Sequence, residues 1–409
     1  MTVFARPTNI SCPLENEMNY PLASTTWDER EYEALQRVIE SGIFTMGKKV
    51  AEFEQEFARF VGSNHAVMVN SGSSANLLMV AALRYRSNAP ILPGTEVIVP
   101  AVSWSTTYYP LYQYGLKLRF VDVDAETLNY DLEQLEEAIT PATKVIMVVN
   151  LLGNPNDFAA INKIVEGRDI LLLEDNCESL GALFDGKQAG TFGLMGSYSS
   201  FFSHHISTME GGLITTDDEE LYHILLCLRA HGWTRNLPKE NHVAPMSDNP
   251  FEESFRFILP GYNVRPLEMS GAIGLEQLKK LPDMVLERRR NAEKFRDLMK
   301  KYPSLRIQRE IGQSSWFGFA FTVKSDMGYD RGQIIAAMNK SGIEVRPIVA
   351  GNFTKNQTMK WFDYSIHGEL KNANDLDQNG FFIGNHHFSL SDEFEVLDRV
   401  LTAVVNGQI

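Results

Sequence analysis

The 409-residue sequence contains only three cysteines, Cys12, Cys177 and Cys227, and no Cys-x-x-Cys pair. So small and scattered a set argues against a disulfide framework and against a zinc or iron–sulfur site built from cysteines. No apolar run approaches the ~18 residues of a membrane span. The first residues also lack a basic segment followed by an apolar core. We therefore expect free thiols, no metal site, no signal peptide and a cytoplasmic protein.

Positive charge is scarce: 38 Lys and Arg stand against 52 Asp and Glu, which gives a net charge of -14. An acidic chain argues against sequence-independent nucleic-acid binding and against docking on an anionic membrane. A local basic pocket for a phosphorylated ligand remains compatible with this balance. The small-residue turns match neither the Gly-x-Gly-x-x-Gly dinucleotide fingerprint nor a Gly-Lys-Ser/Thr triphosphate loop.

Strand-like and helix-like runs alternate along the first half of the chain. The apolar strand candidates are 66–69, 96–100, 118–123, 144–149 and 169–173. The helical candidates between them include 77–83, 131–139 and 158–165. This alternation predicts an α/β fold with a mainly parallel sheet that is covered by helices on both faces.

The domain organisation is predicted from breaks in these patterns. Residues 1–20 have no periodicity and are expected to form an N-terminal arm. An amphipathic helix is predicted over 267–281, and Pro282 is expected to break it. We place a domain boundary there, which gives a large ligand-binding domain over 21–281 and a small C-terminal α+β domain over 282–409.

Two adjacent histidines, His204 and His205, lie in the stretch from Ser199 to Gly212. Strand-like runs flank this stretch, so it is expected to be a short loop between two strands. The two side chains are expected to point in different directions, one into a cleft and the other into the core or solvent. Taken alone, the pair is equally compatible with two ordinary loop histidines.

Other candidate functional residues follow predicted strands. The turn after residues 66–69, with Gly72 and Ser73, resembles an anion cradle because small residues let N–H groups at a helix N-terminus approach a phosphate. Trp104 opens a helix after the next strand, where an indole could stack on a flat ring. The acids Glu174, Asp175 and Glu178 end another strand and could hold a protonated heterocycle. Their ordinary alternatives are a plain helix cap, a packing tryptophan and a salt-bridged loop.

These motifs come in the order of a known family. A phosphate-type turn, a tryptophan, a strand-end acid and a Ser-x-x-x-x-His loop before Glu-Gly-Gly resemble the fold-type-I pyridoxal-phosphate enzymes that act on nucleotide-linked keto sugars, the sugar aminotransferase family. The resemblance covers the chain from Tyr20 onward. Its longest motifs are Val99–Thr107, Arg229–Asn236 and Leu259–Pro266.

The defining lysine of that family is missing here. The family usually carries its Schiff-base lysine where this chain has His204, and the nearest lysines are Lys187 and Lys239. The departure matches a subgroup of 3-dehydratases in which histidine takes the place of lysine. The resemblance implies a pyridoxal 5'-phosphate and pyridoxamine 5'-phosphate cofactor and a homodimer with shared active sites.

The resemblance also implies roles for the cofactor-binding residues. Asp175 would pair with the pyridine nitrogen, and Trp104 would stack on the ring. Glu178 would contact the ring oxygen or the substrate. The implied phosphate ligands are Gly72, Ser73, Ser199 and, from the second subunit, Asn263.

The implied reaction removes a hydroxyl group from a nucleotide-linked sugar. L-glutamate would convert the cofactor to its amine form, which then condenses with GDP-4-keto-6-deoxymannose. His204 would act as acid and base while the C3 hydroxyl leaves, and the product would be released with ammonia. This chemistry belongs to deoxysugar biosynthesis for colitose and the lipopolysaccharide O-antigen. The implied ligands of the glutamate carboxylates are His231, Arg235 and Arg265.

Two alternatives remain open from the sequence. A CDP-linked 3-dehydratase of similar logic also replaces lysine by histidine, but it carries an iron–sulfur cluster that three scattered cysteines would hardly supply. A protein that kept the fold and lost the lysine could bind the cofactor without catalysis. Asp175, Trp104, Ser199 and His204 argue against such decay.

Overall fold

The structure is a computed structural model that describes residues 19–324 and 329–407. The N-terminal arm predicted over 1–20 therefore lies outside the described residues, except for Asn19 and Tyr20. Tyr20 is fully buried, forms a β-bridge with Ile343 and donates a hydrogen bond from its hydroxyl to the carbonyl of Gly384 at 2.7 Å. It is a core residue rather than part of an arm.

Fourteen strands and twelve α-helices are present in the described part of the chain. The strands are β1 (His65–Val69), β2 (Glu96–Pro100), β3 (Lys117–Val121), β4 (Thr143–Val149), β5 (Leu171–Asp175), β6 (Leu183–Phe184), β7 (Lys187–Gln188), β8 (Met195–Ser199), β9 (Gly212–Thr216), β10 (Leu305–Ile307), β11 (Gly318–Val323), β12 (Val345–Arg346), β13 (Tyr364–Ile366) and β14 (Gly380–Gly384). The helices are α1 (Glu29–Ser41), α2 (Lys48–Val61), α3 (Gly72–Tyr85), α4 (Ser105–Gln113), α5 (Leu132–Ala138), α6 (Phe158–Val165), α7 (Glu219–Arg229), α8 (Pro250–Glu253), α9 (Glu268–Met299), α10 (Arg331–Lys340), α11 (Lys371–Asn379) and α12 (Ser391–Val405).

The large sheet confirms the predicted α/β architecture. Its eight strands have the order β1-β9-β8-β5-β4-β2-β3-β13, and β9 alone among them runs antiparallel to its neighbours. Successive residues of β2 point to opposite faces, so Val97 and Val99 pack with α3 and α4 while Ile98 packs with α5 and α6. Both faces are buried, as the continuous apolar strands predicted.

A second sheet has the order β10-β11-β14-β12 and is antiparallel throughout. Helices α10 and α12 pack with it around Phe319, Phe321 and Phe381 in a separate apolar cluster. This part has the α+β composition expected for the C-terminal region.

The expected helix break at Pro282 is wrong. Helix α9 runs without interruption from Glu268 to Met299, with Pro282 inside it. Proline removes one helical hydrogen bond, but Leu278, Leu281 and Val285 on either side are buried against the core beside α2. Tertiary packing therefore overrides the local signal. The domain boundary at 282 stays a prediction, and β13, beyond it in sequence, pairs with β3 of the large sheet.

Candidate functional site

Because seven strands of the large sheet are parallel, their carboxyl ends meet at one edge. The N-termini of α3 and α4 lie at this edge, and so does the loop of residues 200–211 between β8 and β9. This histidine loop, as we call it, joins antiparallel neighbours, which confirms the expected placement between two strands.

Asp175 is the last residue of β5 and is only 6% exposed. Its Oδ2 accepts a hydrogen bond from Nδ2 of Asn76 on α3 at 2.8 Å and another from Oγ1 of Thr107 on α4 at 2.7 Å. Its Oδ1 accepts from the N–H of Cys177 at 3.2 Å. Donors from two helices and the following turn therefore hold the carboxylate in one orientation.

The neighbouring acid, Glu174, does not face this edge as expected. Strand alternation turns it to the other side of the sheet, where its carboxylate accepts from the N–H groups of Gly190, Phe192 and Gly193, each at 2.6 Å. Burial raises the pKa of Glu174, and these three donors oppose that rise. Glu174 is thus a structural anchor for the 190–193 turn.

Glu178 lies in the turn that follows β5 and is partly buried. Its Oε2 accepts from the N–H of Leu152 at 3.0 Å. Burial raises the pKa of Glu178 to about 7. The hydrogen bond from Leu152 acts to lower this pKa, and the negative charge of Asp175 acts to raise it. Near neutral pH the group therefore exchanges a proton readily, which suits a residue that contacts a polar ligand.

The turn at the start of α3 brings three predicted phosphate ligands together. Ser71 caps the helix, and the N–H groups of Gly72 and Ser73 in the first turn have no acceptor within the helix. A Cβ atom on Gly72 would lie 2.8 Å from Cβ of Ser199 and 2.9 Å from Sγ of Cys177. Glycine is therefore required for α3 to sit this close to the ends of β5 and β8.

Trp104 occupies the N-cap position of α4, beside the same edge. Its side chain is 57% exposed, so it is not a packing residue within this chain. Ser73 on α3 donates from its hydroxyl to Oγ1 of Thr106 on α4 at 3.0 Å, which ties the two helix starts together. The arrangement leaves the indole available to a flat ligand.

The two histidines share several features: both rings pack against Phe317, and the Nδ1 of each has no hydrogen-bond partner among the described residues. His205 is buried, and its Nε2 lies 3.1 Å from the carbonyl oxygen of Ser315. His204 is partly buried, its ring centroid lies 5.2 Å from that of Phe317, and its Nδ1 has no hydrogen-bond partner among the described residues. Burial and, after it, the positive charge of Arg288 lower the pKa of His204 to about 4.

The remaining predicted residues lie on one ribbon, in which β-bridges pair Ala230 with Asn263 and Trp233 with Phe257. The Nε of Arg265 donates to Oδ1 of Asn263 at 3.0 Å. The other two are His231, which is exposed, and Arg235, whose guanidinium lies 5.1 Å above the ring of Trp233. Within the described residues, no hydrogen bond or ion pair joins these side chains to Asp175 or His204 of the same chain.

Sequence reasoning missed several residues that shape the site. Asn76 and Thr107 fix Asp175, but each is an ordinary residue near a helix start, and only their burial marks them. Phe317 and Arg288 approach the histidine loop from positions more than 80 residues away. No local pattern carries such a long-range contact.

Two negative findings concern the described residues only. None of their helices is both long and apolar enough to cross a membrane. No group of three or more His, Cys, Asp or Glu side chains in residues 19–324 and 329–407 could hold a metal ion. Cys177 and Cys227 are free thiols there, and Cys12 falls outside this part of the chain.

Comparisons with known proteins agree with this geometry. The sequence model of the DegT/DnrJ/EryC1/StrS aminotransferase family matches residues 25–404. The chain is 62% identical over 386 residues to GDP-4-keto-6-deoxy-D-mannose 3-dehydratase of Escherichia coli O55:H7, covering 94% of this chain and 100% of the relative. It is 60% identical, over 94% of this chain and 98% of the relative, to the protein of the same name from Yersinia pseudotuberculosis.

A solved structure extends the similarity to three dimensions. A crystal structure of GDP-4-keto-6-deoxymannose-3-dehydratase with a trapped PLP-glutamate geminal diamine superposes with a TM-score of 0.93 at 62% identity. The match covers 94% of this chain and 100% of that one. The fold is therefore that of a known architecture.

Proposed function

The chain belongs to the DegT/DnrJ/EryC1/StrS aminotransferase family, and from that premise we propose that it is a pyridoxal-phosphate-dependent 3-dehydratase. Its substrate is GDP-4-keto-6-deoxy-D-mannose, from which it removes the C3 hydroxyl group. L-glutamate supplies the amino group that returns the cofactor to its amine form. The sugar leaves as the 3-deoxy ketone, and nitrogen leaves as ammonia.

One observation carries this proposal: the fold of an aminotransferase holds a histidine, and no lysine, in the loop between β8 and β9. His204 lies at the middle of that loop with an unpartnered Nδ1. Lysine is absent from residues 188–238. An imidazole can take up and release a proton and forms no stable bond with an aldehyde, whereas a lysine would capture the cofactor and favour transamination.

The residues at the sheet edge fit pyridoxal phosphate. Gly72 admits no Cβ, so the N–H groups at the start of α3 are accessible beside Ser199 for a phosphate. The fixed carboxylate of Asp175 would hold a protonated ring nitrogen, and Trp104 would cover one face of the ring. Bound there, the cofactor supplies a conjugated ring that accepts electrons from the carbon being deprotonated.

The proton chemistry falls to His204. A base must be unprotonated before it takes a proton, and the lowered pKa of His204 keeps its imidazole neutral at pH 7. The same imidazole, once protonated, is the acid that assists departure of the C3 hydroxyl. Glu178, whose pKa burial raises to about 7, would contact the ring oxygen or the sugar.

We propose further that the active enzyme is a homodimer with shared sites. Asn263 is exposed, and among residues 19–324 and 329–407 no hydrogen bond joins its side chain or that of Arg265 to Asp175, although the carbonyl of Val264 between them accepts from the N–H of Asn70. A second copy of the chain could bring them to a phosphate and to a substrate carboxylate. His231 and Arg235, on the same ribbon, would bind the carboxylates of L-glutamate.

If each site takes residues from both chains, two different inactive variants should restore activity when they are combined in one dimer. Asn263→Ala and His204→Ala homodimers are each expected to be inactive or nearly so, because both of their sites carry a lesion. A mixed dimer has two sites, and one of them is free of both lesions. It is therefore expected to regain up to half of the activity of the wild-type dimer. Activity of tagged, purified heterodimers measures this. No recovery would place Asn263 in the site of its own chain.

Product identification tests the function itself. The protein is incubated with pyridoxal phosphate, L-glutamate and GDP-4-keto-6-deoxymannose, and the sugar nucleotide is analysed by mass spectrometry. We expect a product that lacks one oxygen atom and has gained no nitrogen, together with 2-oxoglutarate and ammonia. Omitting L-glutamate should limit product to the amount of amine-form cofactor present.

Other outcomes favour the alternatives. Replacement of the C4 oxygen by an amino group would make the protein an aminotransferase. Failure of L-glutamate to change the absorbance of the bound cofactor would favour a binding protein without catalysis. Turnover of a CDP-linked sugar alone would favour the CDP-linked dehydratase.

A cytoplasmic location is part of the proposal, since the free thiols Cys177 and Cys227 suit a reducing compartment.

A further inference from the structure

Arg288 of α9 is a buried cation without a carboxylate partner. It is 5% exposed, and no ion pair to it occurs among the described residues. Its Nη1 donates to the carbonyl oxygens of Asn385 at 2.5 Å and Phe317 at 3.2 Å, and its Nε has no partner among those residues. Burying an arginine in this way is costly. A neutral residue would fill the same space more cheaply, so the charge calls for another explanation.

The segment that Arg288 holds is the one that packs against the histidine loop. This anchor segment, residues 314–317, offers the carbonyl of Ser315 to Nε2 of His205. Its Phe317 ring lies 5.2 Å from the ring of His204 and 5.8 Å from that of His205, between centroids. Arg288 binds the carbonyl of Phe317 itself, so it fixes the end of the segment whose ring packs against both imidazoles.

The backbone of the anchor segment needs such support. Trp316 has φ +49°, a left-handed conformation that is unfavourable for a bulky residue. Its carbonyl accepts from Nδ2 of Asn385 at 2.9 Å, and the same Nδ2 donates to the carbonyl of Arg288. Arg288 and Asn385 thus hold each other and the strained residue in one hydrogen-bonded unit.

We propose that Arg288 is a positioning residue for the dehydratase reaction: by binding the carbonyl of Phe317 it holds the ring that packs against His204 and so orients that imidazole. Its buried positive charge, after burial itself, also disfavours protonation of His204. The inference rests on the proposed role of His204. The charged or titratable groups around His204 are His205 on its own loop and Arg288 on α9, while His386 and His387 flank Arg288 from the loop after β14. No carboxylate among the described residues offsets the arginine there.

Three variants distinguish the effect of the positive charge of Arg288 from the effect of its hydrogen bonds and from a general loss of stability. Arg288→Met removes the charge and the donors while keeping the stem. Arg288→Lys keeps the positive charge but replaces the planar guanidinium, whose Nη1 binds both carbonyls, by a shorter and more flexible ammonium. Arg289→Met is the matched control. Arg289 binds the other end of the segment, donating to the carbonyl of Ser314 at 2.9 Å and to that of Gly181 at 2.9 Å. Its positive charge contributes to the lowered pKa of His205 but not to that of His204.

The first measurement needs no activity. The titration of the His204 ring is followed by NMR in the cofactor-free protein. Arg288→Met is expected to raise its pKa by about one unit toward the ordinary value, whereas Arg288→Lys and Arg289→Met leave it unchanged. An unchanged titration in folded Arg288→Met overturns the inference, even if the enzyme proves to have another reaction.

The second measurement follows kcat, KM and the pH–rate profile. Arg288→Met is expected to lower kcat about tenfold or more, with KM for the GDP-sugar nearly unchanged, and to move the acid limb to higher pH. Equal losses in Arg289→Met would mean a merely structural role. If Arg288→Met does not fold, Phe317→Leu decides: it should lower kcat at constant KM, and a wild-type kcat would overturn the inference.

Discussion

Replacing Asp175 by asparagine is expected to slow conversion of the cofactor to its amine form by about 10²–10³-fold, the typical loss when one electrostatic partner is removed from an active site. The amide is isosteric, and its oxygen can still accept from Asn76 and Thr107, although the NH2 group that replaces Oδ1 can no longer accept from the N–H of Cys177. The site should therefore keep most of its shape. What disappears is the negative charge that would keep the ring nitrogen protonated. The loss is measured by single-turnover absorbance after addition of L-glutamate.

Glu174→Gln provides a matched control on the adjacent residue. Glu174 is also a buried carboxylate of β5, but it faces the opposite side of the sheet and binds the 190–193 turn. This variant should lower the melting temperature because its charge-assisted hydrogen bonds are weakened. The folded protein should keep its half-reaction rate. If the two variants lose rate equally, Asp175 acts through structure and does not hold the ring nitrogen.

The large sheet could be predicted because its signals are local. The strands 66–69 and 144–149 are short apolar runs followed by turns, and α6 appears in the structure with the predicted bounds. Aspartate favours helix N-caps, and Asp218 before α7 accepts from the N–H of Leu221. In these segments the local preference and the tertiary fold agree.

The misses come from segments in which contacts distant in sequence decide the structure. Pro282 lies inside α9 because buried neighbours hold the helix together. β13 is a short strand with exposed residues, and its only signal is the partner β3 more than 240 residues earlier. A sequence pattern indicates the local secondary-structure preference of a segment, but it does not show which distant strand that segment pairs with.

The site divides in the same way. The position of Asp175 and His204 at the sheet edge could be predicted, because both follow a strand-like run. Their roles come from the family resemblance and stay predictions. Their orientation could not, since Asn76, Thr107 and Phe317 reach them from other elements. The sequence therefore predicts which groups lie at the sheet edge, and contacts from distant elements decide how their side chains are oriented.

The substitution His204→Lys is expected to give the largest change in behaviour. Lysine places a primary amine within reach of the cofactor aldehyde, so the cofactor should become covalently attached and its absorbance should shift. Dehydration should fall by about 10²–10⁴-fold, the usual contribution of a general acid–base group. Borohydride treatment should label the introduced lysine with a pyridoxyl group and leave the wild-type chain unlabelled. Aminated sugar need not appear, because the substrate stays oriented for loss of the C3 hydroxyl.

His205→Ala separates the two histidines of the loop. His205 is buried against the carbonyl of Ser315, so its loss should lower stability through a missing hydrogen bond and a cavity. The folded fraction should nevertheless retain much more dehydration than His204→Lys, since the imidazole that exchanges protons is still present. Should His205→Ala abolish dehydration in folded protein while His204→Lys preserves it, the catalytic histidine would be His205, and the unpartnered Nδ1 of His204 would need another explanation.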